Sequence, residues 1–123
     1  MKVKEVMTRN VETIEKDENI SEAARKMREK GIKSLLVVDK GKIIGIITTT
    51  DIVKKAMTTG KINTKVSTIM TPNIITISPE TPVKEAARIM VENKIRHLPI
   101  TEQDKIVGII SDRDILRALV AQK

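Results

Sequence analysis

Two stretches of the chain set a hydroxyl and a carboxylate three residues apart. They are GIITTTDI (Gly45–Ile52) and GIISDRDI (Gly108–Ile115). An ionised Asp only accepts hydrogen bonds, so two adjacent hydroxyls can donate to its two oxygens, and a ribose 2′,3′-diol presents such a pair. Each stretch runs from an apolar strand into a helix. The first N–H groups of a helix lack internal partners and its dipole favours anions, so a hydroxyl there can help to hold a phosphate. Thr48 with Asp51, and Ser111 with Asp114, therefore offer a diol grip beside a phosphate grip. The same spacing is also that of a capping box, in which the hydroxyl and the acid satisfy the helix start itself. A cap duplicates as readily as a binding site, so repetition leaves both readings open.

Other chemistry is sparse. The chain has no Cys, which removes disulfides, thiolate nucleophiles and Cys-based zinc or iron–sulfur sites. His97 is the single histidine and has no partner for metal or triad work. It reads as a structural or partly exposed residue, with a phosphate contact as the second reading. TTGK (Thr58–Lys61) lacks the earlier Gly and the following Ser or Thr of a phosphate-binding loop. Asp112 and Asp114 are two acids near a helix start, which is commonplace. The expectation is a protein that is not an enzyme, with no catalytic residues and no bound metal. The six Met fall at helical spacing and read as core filler.

The formal net charge of +7 favours phosphate-bearing partners, from nucleotides to nucleic acid. Most of the lysines read as a solvated surface, and a Lys-rich chain without Cys suits a thermophile. There is no Phe, Tyr or Trp. Single-stranded nucleic acid is usually held on aromatic platforms, so a nucleic-acid binder contacting phosphates alone is the alternative reading. No apolar run reaches the ~20 residues of a membrane span, and residues 1–10 have no signal-peptide core. The expected location is the cytoplasm, with no membrane partner.

The elements that must position these residues occur twice. With Met7 set over Met70, one offset of 63 residues aligns the chain without a gap. VMTRNVETI (Val6–Ile14) lies over IMTPNIITI (Ile69–Ile77), SEAARKM (Ser21–Met27) over KEAARIM (Lys84–Met90), and KIIGIITTTDI (Lys42–Ile52) over KIVGIISDRDI (Lys105–Ile115). Each copy reads as strand, helix, strand, strand, helix. In the first copy Val11–Ile14 is a strand, and Asn19 or Ser21 caps a helix with Ile20, Ala23, Ala24 and Met27 inward. Gly31 ends that helix. Leu35–Val38 and Ile43–Thr48 form a hairpin across DKGK. Ile52, Val53, Ala56 and Met57 mark the inward face of a second helix. In the second copy Val83, Ala86, Ala87 and Met90 face inward. Leu98–Thr101 and Ile106–Ile110 are strands, and Ile115, Leu116, Leu119 and Val120 line the last helix. The expected organisation is α/β, with repeats at 1–60 and 66–123 joined by a linker at 61–65, together forming one compact module. Neither half alone reaches the size of a comfortably stable domain.

From Lys2 to about Val120 the chain resembles a pair of CBS domains, a Bateman module, as a stand-alone protein of archaeal or bacterial type. The residues carrying the resemblance are the aligned stretches above together with IRHLPI (Ile95–Ile100). It implies two repeats packed through their sheets about a pseudo-twofold axis, with two clefts that hold adenosyl compounds: AMP, ADP, ATP or S-adenosylmethionine. It implies a regulatory, energy-sensing module that signals through a partner protein or its own assembly, commonly a homodimer. Carried over residue by residue, Asp51 and Asp114 hold ribose hydroxyls, and Thr48 and Ser111 sit by ribose and phosphate. Thr13, Ile14, Thr76 and Ile77 line adenine pockets, and Lys33 and Arg96 reach phosphates.

Without aromatic residues, adenine must lie between aliphatic side chains such as Ile14, Ile47, Ile77 and Ile110. That burial is worth a few kcal/mol at most, at about 25 cal/mol per Å². Asp112 puts an extra carboxylate at the second site, which opposes phosphate unless Arg113 or a Mg²⁺ ion compensates. The Thr48/Asp51 site is therefore expected to take the more highly phosphorylated ligand. No cofactor is required beyond the regulatory ligand. Ile89 and Val91 replace Lys26 and Arg28 of the first copy, which marks them as an expected seam between protomers.

Overall fold

The computed structural model describes residues 1–121; Gln122 and Lys123, the end of the expected second repeat, lie outside the described residues. The chain forms two compact units. One is the continuous segment Glu12–Ile74, and the other joins Met1–Val11 to the chain from Ile75 onward.

The Glu12–Ile74 unit contains β1 (Thr13–Glu15), α1 (Ile20–Lys30), β2 (Ser34–Asp39), β3 (Lys42–Thr48), α2 (Thr49–Thr59) and β4 (Thr71–Pro72), with sheet order β1-β2-β3-β4. β1 runs parallel to β2, so the chain needs a crossover between them, which α1 supplies. Ile20, Ala23 and Met27 recur at helical spacing and are buried on the sheet. α1 stops at Gly31, whose φ of 66° is left-handed and whose N–H turns back to the Arg28 and Met27 carbonyls. β2 and β3 form the hairpin, with Lys40 and Gly41 both at positive φ, as a tight two-residue turn demands. Buried Ile14, Ile20, Leu35, Val37, Ile47 and Val66 form the core.

The second unit repeats this plan with α3 (Val83–Asn93), β5 (His97–Glu102), β6 (Lys105–Ser111) and α4 (Asp112–Ala121). The β5–β6 hairpin is flanked by single bridges, Ile77 to Ile100 in parallel and Thr8 to Ile109 antiparallel. Its core holds Val3, Ile77, Val83, Met90, Leu98, Ile100 and Ile110. Hairpin bulges fall between Val37 and Val38 and between Ile100 and Thr101, at matched places in the two copies.

Each unit contains the leading segment of the other repeat, so the units do not follow the expected bounds of 1–60 and 66–123. Val3 and Val66 are equivalent under the repeat, and both are completely buried. Val3 packs with the second copy, its N–H donating to the Thr81 carbonyl at 2.8 Å while the Val83 N–H donates to the Met1 carbonyl at 2.8 Å. Val66 packs with the first copy, its N–H donating to the Glu18 carbonyl at 2.8 Å. The Ile20 N–H donates to the Thr64 carbonyl at 2.8 Å, and the Ser21 N–H to Ile62 at 2.9 Å, so residues 62–64 run along the start of α1. Lys2 and Lys4 both pair with Glu80, at 2.6 and 2.7 Å, and tether the leading segment from outside.

The second helix of each copy is less buried than its apolar pattern suggests. α4 buries Ile115 and Ala118, whereas Leu116, Leu119 and Val120 are exposed. α2 buries nothing fully: Ile52 is half-buried, and Val53, Ala56 and Met57 are exposed, Met57 at 81%. The expected inward faces are thus corrected. The apolar stripe is wider than the part each unit's own sheet covers, and the remainder faces out. The expected seam is corrected in part for the opposite reason. Ile89 is packed against its own unit's core, and only Val91 is open, at 78%.

Two outcomes follow from the backbone. A Cβ on Gly45 would stand 2.7 Å from the Thr71 carbonyl oxygen and 2.6 Å from the Met70 sulfur. The thioether can swing aside, but the carbonyl is held in the β3–β4 pairing. Gly45→Ala is expected to cost about 1–3 kcal/mol in urea unfolding. At Gly108 the matching Thr8 carbonyl is 3.0 Å away and the Met7 side chain is nearer, its Cγ at 2.9 Å, so Gly108→Ala should also destabilise. Lys94, equivalent to Gly31, ends α3 at a φ of 56°. Lys94→Gly should therefore stabilise by about 1 kcal/mol, seen as a rise of a few degrees in Tm.

Candidate functional site

Strand register brings the sequence-singled residues to one end of each sheet. Ser34 pairs with Thr48 and Leu36 with both Ile46 and Thr13, so β3 stops where β1 and β2 begin. Thr13, Lys33, Thr48 and Asp51 therefore share that end, and the Lys33 carbonyl accepts the Thr49 N–H at 3.1 Å. In the other unit His97 pairs with Ser111 and Ile77 bridges Ile100, which gathers Thr76, Arg96, His97, Ser111 and Asp114. The Arg96 carbonyl accepts the Asp112 N–H at 3.0 Å, matching Lys33.

Both hydroxyl–carboxylate pairs form capping boxes. The Asp51 N–H donates to Thr48 Oγ1 at 3.2 Å. Asp51 Oδ2 accepts the Thr48 N–H at 2.9 Å and the Thr48 hydroxyl at 3.0 Å. At the second start the Asp114 N–H donates to Ser111 Oγ at 3.2 Å, and Asp114 Oδ2 accepts the Ser111 N–H at 2.8 Å. One oxygen of each acid is thus committed to the fold. Among the described residues Asp51 Oδ1 has no hydrogen-bond partner, and Asp114 Oδ1 has only Arg117, 3.8 Å away. A carboxylate has about four lone-pair positions, so a cap on one oxygen leaves the other able to accept.

The remaining residues separate. Ile14, Ile47, Ile77 and Ile110 are buried in the two cores, Ile47 and Ile110 completely. Thr13 is half-buried and Thr76 exposed, so what these strands offer outward is hydroxyl and backbone. Lys33 and Arg96 are exposed, and Arg96 Nε lies 4.0 Å from Asp112 Oδ2, so Arg96 partly offsets that extra acid. Arg113 instead lines a shallow groove with Leu116, Arg117 and Val120 along α4. Sequence reasoning passed over Lys26, whose ammonium donates to the Thr13 carbonyl at 2.6 Å and lies 3.7 Å from Glu12. The signal was its place on α1, one position before the inward Met27.

The CBS domain family matches residues 3–58 and again residues 66–121. The chain is a pair of CBS domains. A 17.7 kDa uncharacterized protein in the bps2 3′ region of Acidianus ambivalens is 39% identical over 121 residues, covering 97% of this chain and 73% of that protein. Other curated relatives are longer, and this chain spans 44% to 61% of three of them. The CBS domain pair of protein MJ0100, solved in complex with 5′-methylthioadenosine and S-adenosyl-L-methionine, is 33% identical with a TM-score of 0.91, covering 100% of this chain and 98% of that one. A hexameric CBS-CP12 protein from bloom-forming cyanobacteria is also 33% identical, with a TM-score of 0.87, covering 94% of this chain and 66% of that one. Among the described residues no helix is long and apolar enough to cross a membrane.

His97 gives the second CBS repeat a titratable group at its sheet end. Burial pushes its pKa below the ordinary value of 6.5; Asp112 and Asp114 pull the other way, and Arg96 adds slightly to the lowering. As pH falls through about 6.5 the unfolded chain takes up a proton that the folded chain resists. Stability is therefore expected to drop from that pH downward, levelling off below the folded midpoint. An NMR titration should place that midpoint under 6.5, and His97→Gln should remove this part of the slope.

Proposed function

We propose that this CBS pair is a non-catalytic regulatory module that binds adenosyl ligands at the two sheet ends, one in each unit. The observation that carries the reading is the duplicated Asp. Asp51 and Asp114 stand at equivalent helix starts, each capping through Oδ2 with Oδ1 left over, each beside an exposed cation and a strand edge. The likeness to the MJ0100 pair, whose structure holds two adenosyl compounds, supports the same chemistry.

In this reading the spare oxygens of Asp51 and Asp114 accept from ribose hydroxyls. Thr48 and Ser111, with the α2 and α4 starts behind them, face ribose and phosphate. Lys33 and Arg96 reach outward to phosphates, and Arg113 contributes only by swinging off the α4 face. Thr13 and Thr76 meet the base through their backbone, while Ile14, Ile47, Ile77 and Ile110 support it from beneath. AMP, ADP, ATP and S-adenosylmethionine are the candidate ligands. The Thr48/Asp51 site takes the more phosphorylated one, because Asp112 draws on Arg96 at the other, where Mg²⁺ would help. Binding shifts an equilibrium between shapes by as much as the ligand's affinity differs between them, and a partner protein or the module's own assembly reads that shift. A second copy covering the exposed apolar face of α4 would give the homodimer.

A thermal-shift and calorimetry screen against these four ligands, with and without Mg²⁺, tests the reading. Stabilisation at a hundredfold excess over Kd should approach about 2.7 kcal/mol. Asp51→Asn and Asp114→Asn each retain an acceptor for the capping amide, so each should fold yet lose at least tenfold in affinity at its own site. Absence of any shift with all four ligands would overturn the reading.

A further inference from the structure

The two sheet ends differ at one place that bears on the base. Glu12 and Lys16 bond across to β2, the Leu36 N–H donating to the Glu12 carbonyl and the Lys16 N–H to the Val38 carbonyl. In that alternation the Thr13 carbonyl points away from β2, toward the open edge of the sheet. Lys26 Nζ occupies it at 2.6 Å, its stem lying half-buried along α1. In the other unit Ile77 makes the equivalent cross-strand bonds, its N–H to Pro99 and its carbonyl to Thr101, so the Thr76 carbonyl likewise faces the open edge. The residue equivalent to Lys26 there is Ile89, which packs into its own core. Among the described residues no donor reaches the Thr76 carbonyl.

One edge is thus an unoccupied acceptor, and the other an acceptor with one position taken by a cation that also places positive charge beside it. The 6-amino group of a purine donates N–H, which a bare carbonyl receives and an ammonium cannot. A 6-oxo purine presents an acceptor instead, which an ammonium receives. We propose that Lys26 is a specificity residue: it removes the Thr13 edge's preference for 6-amino over 6-oxo purines, so that this site takes adenosyl ligands through ribose and phosphate while the Thr76 edge selects adenine. This rests on the adenosyl reading above and adds to it that the two sites differ in base preference.

Adenosine and inosine differ at this edge and carry no phosphate, so their affinity ratio isolates the base. Calorimetry on the Asp114→Asn chain reads the Thr13 site, and on the Asp51→Asn chain the Thr76 site. The Thr76 site should prefer adenosine by about tenfold or more, the gain expected of a hydrogen bond made instead of repelled. The Thr13 site should show no such preference. Adding Lys26→Met, which keeps the apolar stem, should create it there, and thermal melts confirm that the chain still folds. Equal ratios at the two sites, or a Thr13-site ratio unmoved by Lys26→Met while adenosine still binds, would overturn the assignment. Failure of both nucleosides to bind either site would overturn this assignment, while the four-ligand screen above decides the adenosyl reading separately.

Discussion

The close approach of two backbones at Gly45, and again at Gly108, is the constraint on which the sheets depend. Thr71 and Met70 lie where a side chain on Gly45 would stand, and Thr8 and Met7 lie over Gly108. The segment doing the covering precedes the other copy in each case. A repeat as written in the sequence therefore lacks one edge of its own sheet and one residue of its own core, Val66 or Val3. The duplicated segments exchange places, so the two halves form from interlocked sequence. Such cross-pairing closes long loops before it is rewarded, and it couples the halves through the chain itself. It also explains why glycine opens the GII[ST]xxD phrase: the position serves the strand it faces, three residues before the hydroxyl begins.

Much of this was legible in the sequence because periodicity reports local geometry well. The α1 and α3 stripes, the hairpins and the Gly31 cap appear within a residue or so of where the residue types put them. What was illegible was non-local. Nothing in VMTRN says which copy it packs on, since Val3 and Val66 carry the same apolar signal for either. The outward faces of α2 and α4 were misjudged for a related reason. An apolar stripe shows that a face wants burial, and its own unit is only one of the surfaces that can supply it.

The site was legible in its components and less so in its division of labour. Thr48/Asp51 and Ser111/Asp114 read as either caps or grips; the geometry makes both pairs caps and leaves one oxygen of each acid off the cap. Capping consumes the hydroxyl and Oδ2, and it does so by fixing the rotamer of each acid. A carboxylate held in that way offers its second oxygen at a defined place, with little side-chain freedom left to lose when a partner arrives. Capping thus leaves each acid with one placed, spare oxygen, which is what the proposed ligand grip requires. The isoleucines were weighed by their apolarity, which is also what sends them into the core, so apolar type alone could not separate lining from filling.

Duplication makes the differences between copies informative, since each position has an internal control under the same fold. Lys26 against Ile89 changes a charged donor into core packing beside equivalent backbone, a strand in the first copy and a single bridge in the second. Gly31 against Lys94 leaves the same left-handed turn and alters only its cost. Thr50 against Arg113 and Thr49 against Asp112 redistribute charge around two helix starts that cap alike. The two copies share their hairpins and helix starts while the charged groups at their sheet ends differ. Each unit can therefore carry a chemically distinct sheet end, because the groups that distinguish the two lie outside the close backbone contacts at Gly45 and Gly108.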